Sequence, residues 1–470
     1  MQTIIKNGVV VTASDTFAAD VGIAGGAVVQ IGQNLAAEGA RVIDAAGRYV
    51  MPGGVDVHTH LDSPSQVILT ADDFRSGTVA AACGGTTTIV DMCFQQHGGT
   101  LADALADWHR RADNKAVIDY GFHIVVVELN SAVEAELARL PAEGVSSFKL
   151  FMAYKHGPMI DDLTMLRVLE LARDNGALVL VHAENGDAAY FLQRRLLAEN
   201  KTAPRYHATS RPPRVEAEAV ARAVALAETV GAPLFVVHVS CGEALAEIAR
   251  GRARGAHVRA ETCTHYLYTS EADLDRPDFE GAKYVFTPPP REPHQHAILW
   301  RALADDALQL VSSDHSVFNF RGGKDIGRDD FTQIPNGAPG IEERLIGVYQ
   351  GVNRGLITLN RFVELVATAP ARLFGMHPQK GTIAVGSDAD IVLWNPDAEM
   401  TITQALLHHR VDYTLYEGLR VRGLPETVLL RGEVIVENRE FVGRAGMGQF
   451  LKRGVYAPST LSQRSKRQHR

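Results

Sequence analysis

Hydrophobic and polar positions fall into two textures along this chain, and the change between them divides it. From residue 51 to about 375, short apolar runs recur at 55–60, 86–91, 121–128, 147–152, 178–182, 234–238, 257–262 and 308–312. Stretches of helical period separate many of them, at 102–112, 163–175, 215–230 and 243–253, with apolar residues returning every three to four positions. Repeated strand-then-helix order predicts a parallel sheet, and eight such units predict a closed (β/α)8, TIM-like barrel of the α/β class. An open doubly wound sheet is the competing architecture, but no Gly-x-Gly-x-x-Gly follows the first strand.

The ends of the chain read differently. Residues 1–50 alternate short β-rich runs with Gly and Asp turns, as in Val9-Val10-Val11 and Val21-Gly22-Ile23. The same texture returns at Asp390-Ile391-Val392-Leu393-Trp394 and from Thr427 to Val436. These ends predict one small β-sandwich domain built from residues 1–50 and 376–445, flanking a barrel over 51–375, with a C-terminal extension over 446–470. The last eight residues, Gln463 to Arg470, are polar and basic and read as a frayed tail.

Composition narrows the function without naming it. Of 470 residues, 46% are apolar, so the chain can bury a large core. A formal net charge of -8 argues against nucleic acid or an anionic membrane as the main partner. Four cysteines (Cys83, Cys93, Cys241, Cys263) show no Cys-x-x-Cys pairing and read as buried thiols of a reducing compartment. The N-terminal residues lack the pattern of a signal peptide, and no apolar run reaches the ~18 residues of a membrane span. A cytoplasmic protein is expected.

Candidate chemistry gathers at the strand ends, where catalytic groups of a barrel sit. The first strand closes on Val57-His58-Thr59-His60, and residues two apart on a strand share a face. Alone, such a pair is as well explained by packing as by a metal. The fifth strand ends in Val181-His182-Ala183-Glu184, the sixth in Val237-His238, and the eighth in Ser313-Asp314-His315. Four histidines and an aspartate at the ends of four strands would converge on one mouth. Those ligand types suit zinc or a similar transition metal.

One strand breaks the theme. Phe148-Lys149-Leu150-Phe151-Met152 places a lysine in an apolar run, where a bare ammonium is costly to desolvate. Either Lys149 snorkels to solvent, or its amine reacts with CO2 to become a carbamate, an anionic ligand able to bridge two metals.

With these motifs in place, the chain resembles the dihydropyrimidinase/D-hydantoinase branch of the cyclic amidohydrolases, from Ile4-Ile5-Lys6-Asn7-Gly8 to Tyr416-Glu417-Gly418. The motifs that carry the resemblance are Gly54 to His60, Phe148 to Lys155, Val181 to Glu184, Val237 to Ser240, Ser313 to His315 and Ile334-Pro335-Asn336-Gly337. The resemblance implies two divalent metals. His58, His60 and Asp314 would hold the more buried one, and His182 and His238 the other, with carbamylated Lys149 and a hydroxide bridging them. It further implies that Tyr154 hydrogen-bonds the developing oxyanion, and that main-chain groups of Thr287 and Asn336 hold the ring amide. Asp314 would carry the proton from water to the leaving nitrogen. The implied activity is hydrolysis of a dihydropyrimidine or 5-substituted hydantoin to an N-carbamoyl amino acid, by a homotetramer.

The chain departs from the branch at Ser63-Pro64-Ser65, where bulkier apolar residues are usual, at Pro158 in place of an aromatic, and at Thr287 in place of a serine. These positions bear on the substrate's exocyclic group, not on the metals. Allantoinase, with the same cluster, is the alternative activity. A non-catalytic scaffold like the collapsin response mediator proteins is the alternative of another class, although here every ligand position is filled.

Overall fold

The computed structural model describes residues 1–64 and 68–456. Eight parallel strands form the barrel wall: β1 (Gly54–Thr59), β2 (Thr86–Phe94), β3 (Asp119–Val125), β4 (Ser147–Phe151), β5 (Leu178–His182), β6 (Leu234–Val236), β7 (Val258–Cys263) and β8 (Leu310–Ser312). Each pairs in parallel with the next. Every strand predicted from the apolar runs is present. A single parallel bridge, Thr59 to His315, joins the two ends of the sheet, helped by the Ser313 N–H, which donates to the Asp56 carboxylate at 3.2 Å.

The lower lumen is filled by Val55, Val57, Val90, Met92, Leu180 and Phe235. Phe374 and Met376 pack onto this layer from the segment that follows the barrel. Each side chain so buried contributes about 1.5–3 kcal/mol relative to leaving it in water. The outer helices follow their sequence period, as in Leu101–Ala112, Asp162–Asn175, Pro213–Val230 and Gly242–Arg254. The helix Phe74–Cys83 is not evident from periodicity, because eight of its ten residues are buried and only Arg75 is exposed. Its signal was local: Asp73 and Ser76 form a reciprocal capping box.

Both chain ends build the small β domain. Tyr49–Pro52 from the N-terminal part pairs antiparallel with Ile391–Thr401 from the C-terminal part, Val50 opposite Leu393. A seven-stranded sheet results, facing a four-stranded sheet that contains Thr3–Lys6 and Asp20–Ala24. Ile5, Val10, Val21, Val50, Ile391 and Leu429 fill the space between them.

From Gly448 to Tyr456 the chain returns beneath the barrel. Leu451 donates its N–H to the Tyr120 carbonyl at 2.7 Å, and Arg453 its own to Gly144 at 2.9 Å. The guanidinium of Arg453 reaches Ser147 Oγ at 2.7 Å. Ser65 and the tail from Gln463 to Arg470 lie outside the described residues. Among the described residues, no helix is long and apolar enough to cross a membrane. All four cysteines are buried and unpaired.

Candidate metal centre

The fold brings the strand-end residues to one mouth, and β1 does so by an irregularity. Val55 and Val57 point into the lumen with Val90 and Met92. Simple alternation would then send His58 and His60 outward. The register between β1 and β2 shifts by one residue between Asp56 and Thr59. This bulge flips the face, so Thr59 turns outward, its hydroxyl donating to Asp91 at 2.7 Å, while both histidines turn inward.

There His58 Nε2 and His60 Nε2 lie 3.2 and 3.3 Å from the same Asp314 oxygen. These three side chains offer ligand atoms within 4.8 Å of one another. On the opposite wall, His238 Nε2 and His182 Nδ1 face each other at 2.8 Å. The His58 and His238 rings stack between the two groups, 5.5 Å apart. Lys149 stands on β4, fully buried, and its ammonium nitrogen has no hydrogen-bond partner. The snorkelling alternative is therefore excluded.

The electrostatics fit a cation. Burial, then the Lys149 charge, hold His58 well below the ordinary imidazole range. Burial does the same to His238, aided by His182, and lowers His182 against the pull of Glu184. Neutral imidazoles present lone pairs, as a metal ligand must. Burial brings Lys149 down to about 8, with Asp314 and Glu261 opposing. Its amine is thus available as a nucleophile near neutral pH. Four imidazoles, a carboxylate and an orphaned amine suit a two-metal cluster, and nothing in the donor set conflicts with one.

Two carboxylates support the histidines from behind, and sequence reasoning gave neither a role. Glu261, on β7, contacts His58 Nδ1 at 2.6 Å, with both groups about 1% exposed. Glu184 contacts His182 Nε2 at 2.8 Å and is itself paired with Arg211 at 2.8 Å. In each pair, one imidazole nitrogen is occupied by a carboxylate and the other faces the mouth. This arrangement fixes tautomer and ring orientation in metal sites. The signal for Glu261 was an acid inside the apolar run of β7. For Glu184 it was an acid two residues beyond a histidine.

The mouth opens into a cavity of about 850 Å³ that includes His58, Lys149, Tyr154, His238, Asp314 and Asn336 in its lining. The Tyr154 ring lies 5.1 Å from that of His182, with the Arg211 guanidinium 5.5 Å from its centroid. Burial pushes its phenol far above the ordinary tyrosine value, so it is a proton donor at neutral pH. Thr287 Oγ1 donates to Asn336 Oδ1 at 3.0 Å across the cavity's edge. Ser63, Pro64 and Pro158 line the same space. Asp314, His238 and Tyr154 adopt left-handed backbone angles, φ 48°, 40° and 65°, a strain of roughly 1–3 kcal/mol each for non-glycine residues. At His238 this turn ends the apolar run early: β6 stops at Val236, which frees the histidine to swing into the mouth.

Comparison with known proteins agrees with the geometry. Residues 49–435 match the amidohydrolase family. A D-hydantoinase of Ralstonia pickettii is 59% identical over 97% of this chain and 100% of its own length. A solved D-hydantoinase structure superposes with a TM-score of 0.96 at 58% identity, covering 97% of this chain and all of that one. The crystal structure of dihydropyrimidinase from Brevibacillus agri also gives 0.96, at 52% identity over 97% of this chain and 100% of its own. The chain belongs to the amidohydrolase family and, within it, to the dihydropyrimidinase/hydantoinase branch of hydrolases that act on cyclic amides.

Proposed function

We propose that this chain opens the ring of 5-substituted hydantoins, preferring the D enantiomer, and of dihydropyrimidines, to give N-carbamoyl amino acids. The observation that supports this most is the convergence of four imidazoles, Asp314 and the orphaned Lys149 amine at the floor of one cavity. The D preference is inferred from the D-hydantoinases that are similar to it. That kinship does not favour the allantoinase alternative, and membership in a branch of hydrolases argues against a non-catalytic scaffold.

His58, His60 and Asp314 would hold one divalent metal, and His182 and His238 the other, with zinc as the metal proposed. Lys149 would lose a proton as its nitrogen bonds the carbon of CO2, leaving a carbamate between them. When bound, such ions supply Lewis acidity toward the ring carbonyl and toward water.

The chain's own residues do the rest. Asp314 Oδ1, between the two β1 histidines, is placed to accept a proton from water as the water oxygen bonds to the ring carbonyl carbon. As the ring C–N bond breaks, the same carboxyl returns that proton to the leaving nitrogen. Tyr154 keeps its phenolic proton and donates it as a hydrogen bond to the charge growing on the carbonyl oxygen. Main-chain groups of Thr287 and Asn336 hold the ring amide. Ser63, Pro64 and Pro158 border the space left for the exocyclic group.

The family resemblance read from the sequence motifs is the ground for proposing a cytoplasmic homotetramer, for which light scattering on the purified protein should give the mass of four chains. A spectrophotometric panel tests the activity with D- and L-5-substituted hydantoins, dihydrouracil, allantoin and dihydroorotate. Turnover should be highest on the D-hydantoins and appreciable on dihydrouracil. A dominant rate on allantoin would overturn the reading.

A further inference from the structure

Lys324 is a second lysine with no exposed surface. It forms no ion pair among the described residues. Its Nζ instead donates to three main-chain carbonyls: Val285 at 2.7 Å, Gly337 at 2.8 Å and Pro335 at 3.0 Å. An ammonium has three protons and no acceptor, so three carbonyls satisfy it completely. Burial pushes Lys324 well below the ordinary lysine value, a cost that the three carbonyl acceptors offset; two of them belong to Pro335 and Gly337, which line the cavity.

The three carbonyls belong to two separate segments. Val285 leads into Phe286 and Thr287 after β7, whereas Pro335 and Gly337 flank Asn336 in the loop after β8. Phe286, Thr287, Pro335, Asn336 and Gly337 line the cavity, but Lys324 does not. The two segments otherwise meet through few groups: the Gly337 N–H donates to Val285 at 3.1 Å, and Thr287 Oγ1 to Asn336. The loop is also seated closely on the chain beyond Asp314. Gly337 has φ +155°, and a Cβ there would lie 1.9 Å from the Ser316 carbonyl oxygen.

We propose that Lys324 is a positioning residue for substrate recognition. Its ammonium ties the Val285–Thr287 segment to the Pro335–Gly337 loop, so that the main-chain groups of Thr287 and Asn336 meet one ring amide together. This rests on the reading of those two residues as the ring-amide holders. A residue acting in this way sets how well the ring is bound more than how fast it is cleaved.

The test uses the metal-loaded enzyme and a D-5-substituted hydantoin, with three variants compared. Lys324→Met keeps the length and apolar body but has no donor. It should raise KM at least tenfold, change kcat by less than threefold and leave the bound metal unchanged. Lys324→Gln retains a donor and serves if the methionine variant does not fold; its KM should rise by less, in the same direction. Gly337→Ala displaces the loop directly and should also raise KM. If KM rises in Gly337→Ala but not in the Lys324 variants, the loop binds substrate and Lys324 is not its anchor, which overturns the proposal. If KM is unchanged in all three, the ring-amide reading itself fails and the proposal falls with it. A fall in kcat with loss of metal would mark Lys324 as merely structural and also overturn it.

Discussion

Replacing Glu261 probes whether the carboxylates behind the histidines serve the metals. The Glu261 oxygen lies 2.6 Å from His58 Nδ1, and both groups are about 1% exposed, so water is poorly placed to replace it as the acceptor. Burial pushes the Glu261 carboxyl well above its ordinary value, with the Lys149 charge and the Ser312 hydroxyl opposing. Removing such an outer carboxylate typically lowers metal affinity 10- to 100-fold, or about 1.4 to 2.7 kcal/mol. Two variants should grade this range. Glu261→Gln keeps an acceptor for the Nδ1 proton but loses the charge, and should weaken binding about tenfold. Glu261→Leu leaves that proton unsatisfied in an apolar setting, and should weaken it about 100-fold. Metal-free protein titrated with zinc against a chromophoric chelator reads the affinity directly. Both variants should still fill at saturating zinc and recover much of their turnover there. Affinities within threefold of wild type for both would refute a supporting role for Glu261.

Three further outcomes follow from the site. Asp314→Asn should keep much of the metal yet lose at least 100-fold in kcat, the scale of general acid–base catalysis, whereas near-normal kcat contradicts the proton-shuttle role. Tyr154→Phe should lower kcat about 100- to 1,000-fold, as loss of one oxyanion donor does, with unchanged metal by mass spectrometry; a small effect removes Tyr154 from the mechanism. Burial alone would raise Glu184, but the charge of Arg211 and the contact with His182 hold it at about 2, below the ordinary 4.5. A depressed carboxyl stabilises the fold above its unfolded value and loses that stabilisation as pH falls from there through the folded one. The contribution is at most about 3 kcal/mol. Arg211→Met should therefore shift acid unfolding, followed by circular dichroism, to higher pH, and coincident acid limbs would contradict the pairing.

The barrel was legible because parallel strands covered on both faces read as continuous apolar runs. Helices that present a polar face to water showed their period. Phe74–Cys83 did not, since it is buried nearly all round. The two chain ends could be read as β-rich, but the pairing of Val50 with Leu393 joins residues far apart in sequence and leaves no local mark. Likewise, nothing in residues 446–456 foretold their course under the barrel, which rests on main-chain bonds to Tyr120, Gly144 and Gly176. In the site, His58, His60, His182, His238 and Asp314 were legible as polar ends of apolar runs. The bulge that aims the first two was not, because backbone register is a property of two strands. Thr287 and Asn336 entered through family resemblance alone, and Lys324 acts through carbonyls that any sequence supplies.

Lys149, although a lysine, is proposed to complete a two-metal site. Inductively coupled plasma analysis of wild type and Lys149→Ala, both purified under the same metal supply with bicarbonate present, tests it most directly. Wild type should hold two divalent ions per chain, and the variant should lose at least one of them together with turnover. Wild-type stoichiometry in Lys149→Ala would contradict that role.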